Sequence, residues 1–398
     1  MKALSLLDGL TIVDLSMFVA GPFGSMVLAD LGADVIKIEP LSGDPVRSNR
    51  IGPQLGGENA QFQSYNRNKR SIAVDLKAAD GRRVVERLVE KSDVVFDNFR
   101  PGVLERLGLD HERLRTLNPR IISCSVSAFG QKGPWSDRPG YDLIVQALGG
   151  GMSLTGHDRT GPAHIPFHLG DTAAGLYAAI AILAAVADRA RTGVGRRVEV
   201  SLLDAQLALL GDEVTNHSVS GQAPLRHGAG HPNFFPYQAF ATADAPIVVA
   251  AVGVEKFWQS LCRVIARPEL AEDPRFVGND SRVRRRDELE PILAEAFRTR
   301  TRDEWLDALT AADIPAAPIL AVPEALGTPP AKHRGMVQEL DLGERGRVRV
   351  AGNPVHAEHG SRSFRPAPRL GADSEAVLAS LGYDSESIAA LRRAGVIR

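Results

Sequence analysis

The 398-residue sequence predicts an α/β fold, in which a doubly wound, mainly parallel, Rossmann-like sheet forms a large domain beside a smaller α+β domain. Short β-rich runs alternate with helical patterns through the first half of the chain. Two stretches rich in proline and glycine flank a middle module. The composition, 44% hydrophobic and 24% charged, is sufficient for a large core and for two domains.

The large sheet is predicted from β-rich runs separated by helical patterns. Six runs form the expected strands: Thr11–Ser16, Asp34–Glu39, Ser71–Leu76, Asp93–Phe99, Arg120–Ser127 and Arg197–Leu202. Between them, Pro22–Leu31 begins with a proline suited to a first helical turn, and Gly81–Ser92 carries one apolar stripe. Ligands of such sheets bind at the carboxyl ends of the strands.

A second module begins near Ser220, where glycines and prolines cluster without periodicity up to Pro236. Its expected elements are one strand and three helices: Pro246–Val252, Glu255–Ala266, Arg284–Thr299 and Thr301–Ala312. A second proline- and glycine-rich stretch, Gly327–Gly335, leads into the last portion of the chain. That portion predicts a strand and two short helices: Arg347–Ala351, Ser374–Leu381 and Asp384–Ala394.

Composition and charge exclude several classes of protein. A net charge of −1 offers no global attraction for nucleic acid or an anionic membrane, so neither is expected as a partner. The two cysteines, Cys124 and Cys262, lack metal-ligand spacing, which disfavours a zinc site and favours a reducing, cytoplasmic location. The N-terminus is too polar for a signal peptide, and we expect no run near the roughly 20 apolar residues of a membrane span.

The segment Gly170–Ala174 places one carboxylate, Asp171, between an extended approach over His164–Leu169 and a predicted helix over Thr172–Arg191. Asp171 therefore falls at or beside the helix N-cap. Unpaired amides and the helix dipole favour an ionised carboxylate there, so we expect a low pKa. Spacing alone leaves two roles open, a helix cap or an anionic nucleophile, and the cap is the commoner.

Two other segments combine groups that bind anions. The turn Phe18–Gly24 precedes a helix and could cradle a phosphate or present a backbone N–H to an oxyanion, although it lacks the Gly-x-Gly-x-x-Gly spacing. Asn98–Gly102 and Arg106 bring amide and guanidinium groups near one strand end, where they suit phosphates or form an ordinary solvated turn. Tyr141-Asp142 opens the helix that follows the glycine-rich loop Gly130–Gly140.

Metal and serine chemistry have little support. His157, His164 and His168 are spaced too irregularly for a confident metal site. His168 could help to shape a substrate pocket near Asp171, but packing is its commoner role. No Gly-x-Ser-x-Gly sequence is present, which disfavours a serine hydrolase.

Taken in order, these motifs resemble the class III CoA-transferases, the family that includes formyl-CoA transferase, carnitine CoA-transferase and the acyl-CoA racemases. The resemblance covers nearly the whole chain and rests on these segments: Leu7–Gly9, Ala20–Pro22, Leu31–Glu39, Asn66–Ile72, Asn98–Gly102, Gly170-Asp171, Thr192–Gly195, Pro315–Pro318 and the region around Gly371.

The resemblance implies a large CoA-binding and catalytic domain containing residues 1–220 and 327–398, a small domain of residues 221–326, and an interlocked homodimer. It also implies that Asp171 is the nucleophile of a CoA-transferase, acting through aspartyl anhydride and aspartyl-CoA thioester intermediates. Acyl-CoA and a free carboxylic acid are the implied substrates. No metal and no tightly bound cofactor are expected.

Carried over by position, the resemblance assigns the backbone N–H of Val19 as oxyanion donor and Arg100 and Arg106 to the CoA phosphates. The implied CoA-binding residues are Val19, Ala20, Val74, Lys77, Asn98, Phe99, Arg100, Arg106, Tyr141 and Asp142. One position departs from the family: Pro40 stands where several relatives have an arginine near the adenosine. That contact is absent here or supplied by another residue, for example Arg47.

Two alternatives remain open. An α-methylacyl-CoA racemase would need an acid and base pair, but the position of its histidine, next to Asp142, holds Tyr141, a weak base near neutral pH. A CoA-binding protein without turnover would not need Asp171. Within the transferases, the overall pattern is most similar to members that use succinyl-CoA or another dicarboxylyl-CoA.

Overall fold

A computed structural model of the chain describes residues 5–157, 160–357 and 364–398. The chain divides into two compact units. The large unit comprises Met1–Gly151, His164–Thr215 and Pro329–Arg398, and the small unit comprises Met152–Ala163 and Asn216–Thr328. The small unit therefore includes Met152–Ala163, a segment that lies outside the small-domain limits expected from the sequence.

A six-stranded sheet forms the centre of the large unit. Its strands are β1 (Thr11–Asp14), β2 (Asp34–Glu39), β3 (Arg70–Ala73), β4 (Val94–Asp97), β5 (Ile122–Ser127) and β6 (Arg197–Ser201). They lie in the order β3-β2-β1-β4-β5-β6, and every pairing is parallel. The predicted α/β fold with a mainly parallel sheet is confirmed. From β1 the chain adds β2 and β3 on one side of the sheet and then β4, β5 and β6 on the other. The strand order therefore reverses between β1 and β4, where a ligand crevice is expected.

Helices cover both faces of the sheet. Five of them are α1 (Ala20–Asp30), α2 (Ala79–Glu90), α3 (Asp142–Leu148), α4 (Leu169–Thr192) and α5 (Leu202–Ala208). On one face, Ile12 and Phe96 share a core with Ala178 of α4. On the other face, Val95 packs in a core with Val85 of α2.

Shorter elements complete the large unit. Its remaining helices are Ser5–Leu7, Pro45–Ser48, Gln61–Asn66, Val103–Leu107, His111–Leu117, Pro329–His333, Gly343–Arg345, Ser374–Ser380 and Ser385–Arg393. Two antiparallel hairpins pair Gln54–Leu55 with Glu58–Asn59 and Val337–Asp341 with Arg347–Ala351. The strand Val337–Asp341 was not predicted, because its exposed edge has little apolar alternation.

The small unit contains a three-stranded antiparallel sheet formed by Tyr237–Phe240, Ile247–Ala250 and Ala316–Pro318. Its helices are Glu255–Val264, Glu269–Glu272, Asn279–Arg284, Arg286–Phe297, Arg302–Ala311 and Val322–Leu326. Two further helices, Gly151–Leu154 and Asp212–Ser220, and the hairpin Gly156–His157/Gly161–Pro162 complete the described elements. The buried aromatic side chains of Trp258, Phe297 and Trp305 lie in the core of this unit.

Helices α1 and α4 cross in backbone contact. A Cβ atom added to Gly24 would lie 2.7 Å from the carbonyl oxygen of Gly175, and one added to Gly175 would lie 2.6 Å from that of Ala20.

By length and composition α4 could cross a membrane, contrary to the sequence expectation that no run approaches such a span. One face of this helix, with Ala174 and Ala178, is buried in the core against the sheet.

We predict that Gly175→Ala destabilises the large unit. Helix propensity alone would stabilise this variant by about 0.5–1 kcal/mol, but the added methyl group overlaps the α1 backbone, which costs about 1–3 kcal/mol. Urea unfolding should show a lower midpoint. Because the two effects have opposite signs, a raised midpoint would contradict the proposed contact between α1 and α4.

Candidate active site

A cleft of about 790 Å³ opens at the carboxyl ends of β1, β4 and β5, beside the point where the sheet order reverses. Most of the residues that the sequence assigned to the site line this cleft: Val19, Ala20, Asn98, Phe99, Arg100, Tyr141, Asp142 and Asp171. They come from loops that follow different strands and from the first turns of helices. The parallel sheet brings them together because all of its strands end on the same edge.

Three assigned residues do not line the cleft. Val74 is buried just after β3, whereas Lys77 and Arg106 are exposed on the surface. Their contact with CoA stays a prediction. Arg47 is buried, and its guanidinium is bound by Glu39 and by other groups of the protein, so it is not free to replace the arginine missing at Pro40.

A tight turn presents the N-terminus of α1 to the cleft. The side-chain amide of Asn98 accepts a hydrogen bond from the Met17 N–H at 2.8 Å and donates one to the Met17 carbonyl at 2.7 Å. Phe18 takes a left-handed backbone conformation with φ of 66°. Val19 is the N-cap of α1, and its N–H donates no hydrogen bond to any described residue. A donor of this kind suits an oxyanion.

The buried Lys37 binds the backbone at the start of this turn. The Lys37 ammonium donates to the Ser16 carbonyl at 2.6 Å and forms an ion pair with Asp44 at 3.0 Å. Asp44 also accepts weakly from the Phe18 N–H at 3.4 Å. Removal of any one of these charges would leave its partner buried and unpaired, which is costly.

A second buried pair joins β1 to the first turn of α1. The Lys69 ammonium lies 3.0 Å from the Asp14 carboxylate and 2.9 Å from the Pro22 carbonyl oxygen. Burial acts to raise the pKa of Asp14, but Lys69 and Lys37 outweigh it and lower the pKa to about 2. Burial lowers the pKa of Lys69 to about 8, although Asp14 opposes the shift. Both groups are therefore charged at neutral pH.

Asp171 is the third residue of α4, which begins at Leu169 with His168 as its N-cap. The amides at this helix start are not bound by Asp171. The Asp142 carboxylate accepts hydrogen bonds from the N–H groups of Gly170 at 2.7 Å and Asp171 at 3.2 Å. Across the residues that the structure describes, the Asp171 carboxylate itself accepts no hydrogen bond, so it is a half-buried acid facing the cleft rather than a cap.

The expectation of a low pKa for Asp171 is wrong. Burial, and to a smaller extent the negative charge of Asp142, raise the pKa of Asp171 to about 7. The sequence argument assigned the helix amides to Asp171, but Asp142 occupies two of them and adds a like charge. Asp171 is therefore poised near neutral pH, as is common for catalytic groups.

Gly170 has a steric reason to precede Asp171. A Cβ atom at this position would lie 2.7 Å from the Val145 side chain and 3.2 Å from the carboxylate of Asp142. Glycine therefore allows Asp142 on α3 to reach the start of α4. The Gly-Asp pair in the sequence is explained by this approach of two helices.

The sequence did not identify several residues that organise the cleft. The Gln146 side chain donates to Asp142 at 2.7 Å and accepts from the Ile165 N–H at 2.9 Å, so it fixes both the cap of α4 and the approach to it. Gln61 lines the cleft and lies 3.4 Å from the His168 ring. The sequence signal for Gln146 was a single polar residue between the apolar residues Leu143–Val145 and Ala147-Leu148 of α3.

The three histidines do not gather at one place. His164 and His168 line the cleft, whereas His157 belongs to a short hairpin of the small unit. Among residues 5–157, 160–357 and 364–398, no three histidine, cysteine or acidic side chains are grouped to hold a metal ion.

Comparison with known proteins identifies the family of this chain. The model of CoA-transferase family III matches residues 7–374. The acetyl-CoA:oxalate CoA-transferase of Acetobacter aceti is 40% identical over 350 residues, which cover 87% of this chain and 88% of the relative. The human succinyl-CoA:glutarate CoA-transferase is 36% identical over 395 residues, covering 98% of this chain and 90% of the relative.

A solved structure is similar over nearly the full length. The crystal structure of a CAIB/BAIF family protein from Brucella suis superimposes with a TM-score of 0.85 at 36% sequence identity, covering 96% of this chain and 100% of that protein. The family match, the close relatives and the shared fold agree with the resemblance found in the sequence motifs. The chain belongs to CoA-transferase family III.

Proposed function

We propose that this enzyme transfers CoA from a dicarboxylyl-CoA thioester, such as succinyl-CoA, to a small free dicarboxylic acid, with Asp171 as the nucleophile. One observation carries the proposal. A carboxylate with a pKa near neutrality and no hydrogen bond among the described residues lines the same cleft as the unoccupied N–H of Val19. A nucleophile and an oxyanion donor in one cleft are the minimum for acyl transfer.

The names of the relatives support a dicarboxylic substrate. The Acetobacter relative uses oxalate and the human relative uses succinyl-CoA and glutarate, so each handles a dicarboxylic acid. In this chain, the imidazole rings of His164 and His168 line the cleft and can donate hydrogen bonds to a carboxylate. Such groups suit the second carboxylate of a dicarboxylic substrate.

The reaction proceeds in four balanced steps. The Asp171 carboxylate attacks the donor thioester carbonyl and expels CoA thiolate, which forms an acyl-aspartyl anhydride. The thiolate then attacks the aspartyl carbonyl, releases the donor acid and forms an aspartyl-CoA thioester. The acceptor carboxylate attacks that thioester, expels the thiolate and forms a second anhydride with Asp171. The thiolate finally attacks the acceptor acyl carbonyl of this anhydride and expels the Asp171 carboxylate. The products are the new acyl-CoA and the free Asp171 carboxylate.

Each step passes through an oxyanion, which the Val19 N–H would stabilise. We assign the CoA thiol arm to the cleft residues Ala20, Asn98, Phe99 and Tyr141, and the phosphates to Arg100 and Arg106, with Val74 and Lys77 beyond the cleft. Asp142 acts differently: it positions Asp171 through the α4 backbone.

We predict that Asp171→Ala loses CoA exchange by at least about a thousandfold while CoA still binds, because the covalent step is lost and the binding groups remain. A panel of acyl-CoAs and free acids, followed by mass spectrometry, measures exchange. A CoA adduct trapped on the wild-type chain should map to Asp171. In the matched variant Asp142→Ala the adduct should still map there.

Four results would contradict this mechanism. The first is full exchange by Asp171→Ala, and the second is an adduct on another residue. The third is loss of stereochemistry in a chiral 2-methylacyl-CoA with no exchange on the panel, which would indicate a racemase. CoA binding by the wild-type chain without turnover would indicate a binding protein.

We predict that kcat/KM rises with pH through an apparent pKa near 7 and then levels, because Asp171 must be ionised to attack. Asp142→Asn removes the like charge but keeps an oxygen to accept from the Gly170 N–H. The acid limb of the profile, the rise of kcat/KM with pH, should therefore move to lower pH. Asp204→Asn makes the same charge change at an exposed helical position and should leave the limb in place. An unchanged or raised limb in Asp142→Asn would contradict the assignment.

We also propose that the enzyme is a cytoplasmic homodimer, interlocked as the family resemblance implies, and that it needs no nucleic acid or membrane. Both cysteines are buried free thiols, which suits a reducing compartment. Helices α3 and α4 expose large apolar side chains: Ile144, Leu148, Leu176, Tyr177 and Ile180. Clustered exposed apolar residues of this kind mark protein interfaces.

We predict that light scattering finds twice the chain mass of 42.7 kDa in solution. Ile180→Asp should weaken the dimer, because it places a charge within the buried face. Val277→Asp, an equally drastic change at an exposed valine of the small unit, is the control and should remain dimeric. A monomeric wild type, or an Ile180→Asp dimer as stable as the control, would oppose this interface.

A further inference from the structure

A second concave site lies in the large unit, apart from the cleft. It has a volume of about 580 Å³, within the range of small-molecule pockets. We call it the arginine pocket, because five arginines line it: Arg47, Arg50, Arg345, Arg369 and Arg398. Glu58 is the one acid among its described lining residues.

The positive charge of this pocket is only partly compensated. Arg47 is paired with Glu39 and with Glu58, which lies 2.9 Å away. The same Glu58 is 3.4 Å from Arg345, so one carboxylate serves two guanidinium groups. Arg50 and Arg369 form no ion pair or side-chain hydrogen bond within the described part of the chain.

Arg345 is built into the pocket rather than left on the surface. Its side chain is 13% exposed, and its Nε atom is buried without an acceptor in the described structure. The aliphatic stem lies over Gly56, where an added Cβ atom would come within 2.7 Å of three of its carbons. Burial lowers the pKa of Arg345; the charge of Glu58 opposes this shift, and the smaller effects of Arg369 and Arg47 act with burial.

The pocket is located near the edge of the sheet that carries the cleft. Ser42, one of its lining residues, follows β2 by three residues, and the Arg398 N–H donates to the carbonyl of Ala73 at the end of β3. In parallel α/β sheets this edge is where ligands bind. Two strand spacings, roughly 10 Å, separate β1 from β3.

We propose that the arginine pocket binds a small ligand with at least two phosphate groups. Guanidinium groups bind phosphate oxygens through paired hydrogen bonds, and several convergent arginines require an anion of multiple charge. A monocarboxylate would leave most of the positive charge unbalanced. A diphosphate would give the buried Nε of Arg345 an acceptor and would balance Arg50 and Arg369.

Two sources could supply these phosphates. One is CoA itself, whose phosphates would then lie in the pocket instead of against Arg100 and Arg106 and would replace the arginine contact missing at Pro40; this source rests on the proposed CoA-transferase function. The other is a free phosphorylated metabolite that binds beside the substrate as an effector. The chemistry of recognition is the same for both.

Calorimetric titration of the full chain with inorganic pyrophosphate and with adenosine 3′,5′-bisphosphate tests the proposal. We expect saturable binding at one site per chain that weakens with added salt. The double variant Arg50→Gln/Arg369→Gln should lose at least about tenfold in affinity, because each arginine contributes charged hydrogen bonds. Arg284→Gln/Arg298→Gln changes the net charge equally at exposed positions outside the pocket and should bind like the wild type.

The thermal midpoint separates ligand binding from a structural role. Because Arg50 and Arg369 are unpaired among the described residues and repel their neighbours, the pocket variant should melt no lower than the wild type without ligand. Absence of saturable binding by the wild type would overturn the proposal, as would equal affinity in the pocket variant. A pocket filled by a second copy of the chain would also give no binding and counts against it.

Competition identifies the source. If pyrophosphate weakens CoA binding and the pocket variant raises the KM for acyl-CoA at unchanged kcat, the phosphates of CoA occupy the pocket. If pyrophosphate and CoA bind together, a separate phosphorylated ligand does. The pyrophosphate titration needs no turnover, so it can succeed or fail independently of the proposed transferase activity.

Discussion

The close crossing of α1 and α4 is the constraint on which the rest of the cleft depends. Each helix begins at the cleft. Val19 is the N-cap of α1, and α4 begins at Leu169, two residues before Asp171. Because Gly24 and Gly175 permit backbone contact, the relative position of the two helix starts follows from the crossing. A small change in this packing would move the nucleophile and the oxyanion donor apart.

Charges buried beneath the cleft keep the α1 turn in its strained form. Lys37 and Lys69 bind backbone carbonyls of Ser16 and Pro22, so the ammonium groups act on the main chain as well as on Asp14 and Asp44. Buried ion pairs are a poor source of stability, but they specify geometry where a left-handed residue such as Phe18 must be held. These buried charges thus hold the backbone conformation that places Val19 and its N–H at the cleft.

Asp142 and Asp171 show how two nearby carboxylates take different roles. Asp142 accepts hydrogen bonds from the α4 amides and from Gln146, so its carboxylate holds the start of α4. Asp171 accepts none among the described residues and bears the full effect of burial and of the neighbouring charge. The environment therefore makes one acid a structural cap and the other a reactive group near neutral pH.

The sequence by itself determined the succession of strands and helices along the chain and the parallel sheet, because hydrophobic period and turn residues are local properties. For Asp171 the local pattern left a helix cap and a nucleophile open, and the family resemblance pointed to the nucleophile. The tertiary structure alone decided the pKa of Asp171, since burial is the main cause of its rise and the charged neighbour that adds to it, Asp142, is 29 residues away along the chain. The same holds for Arg47, which the sequence offered as a CoA contact and whose guanidinium is bound by Glu39. Burial, pairing and steric access depend on residues that folding brings together, and no local pattern records them.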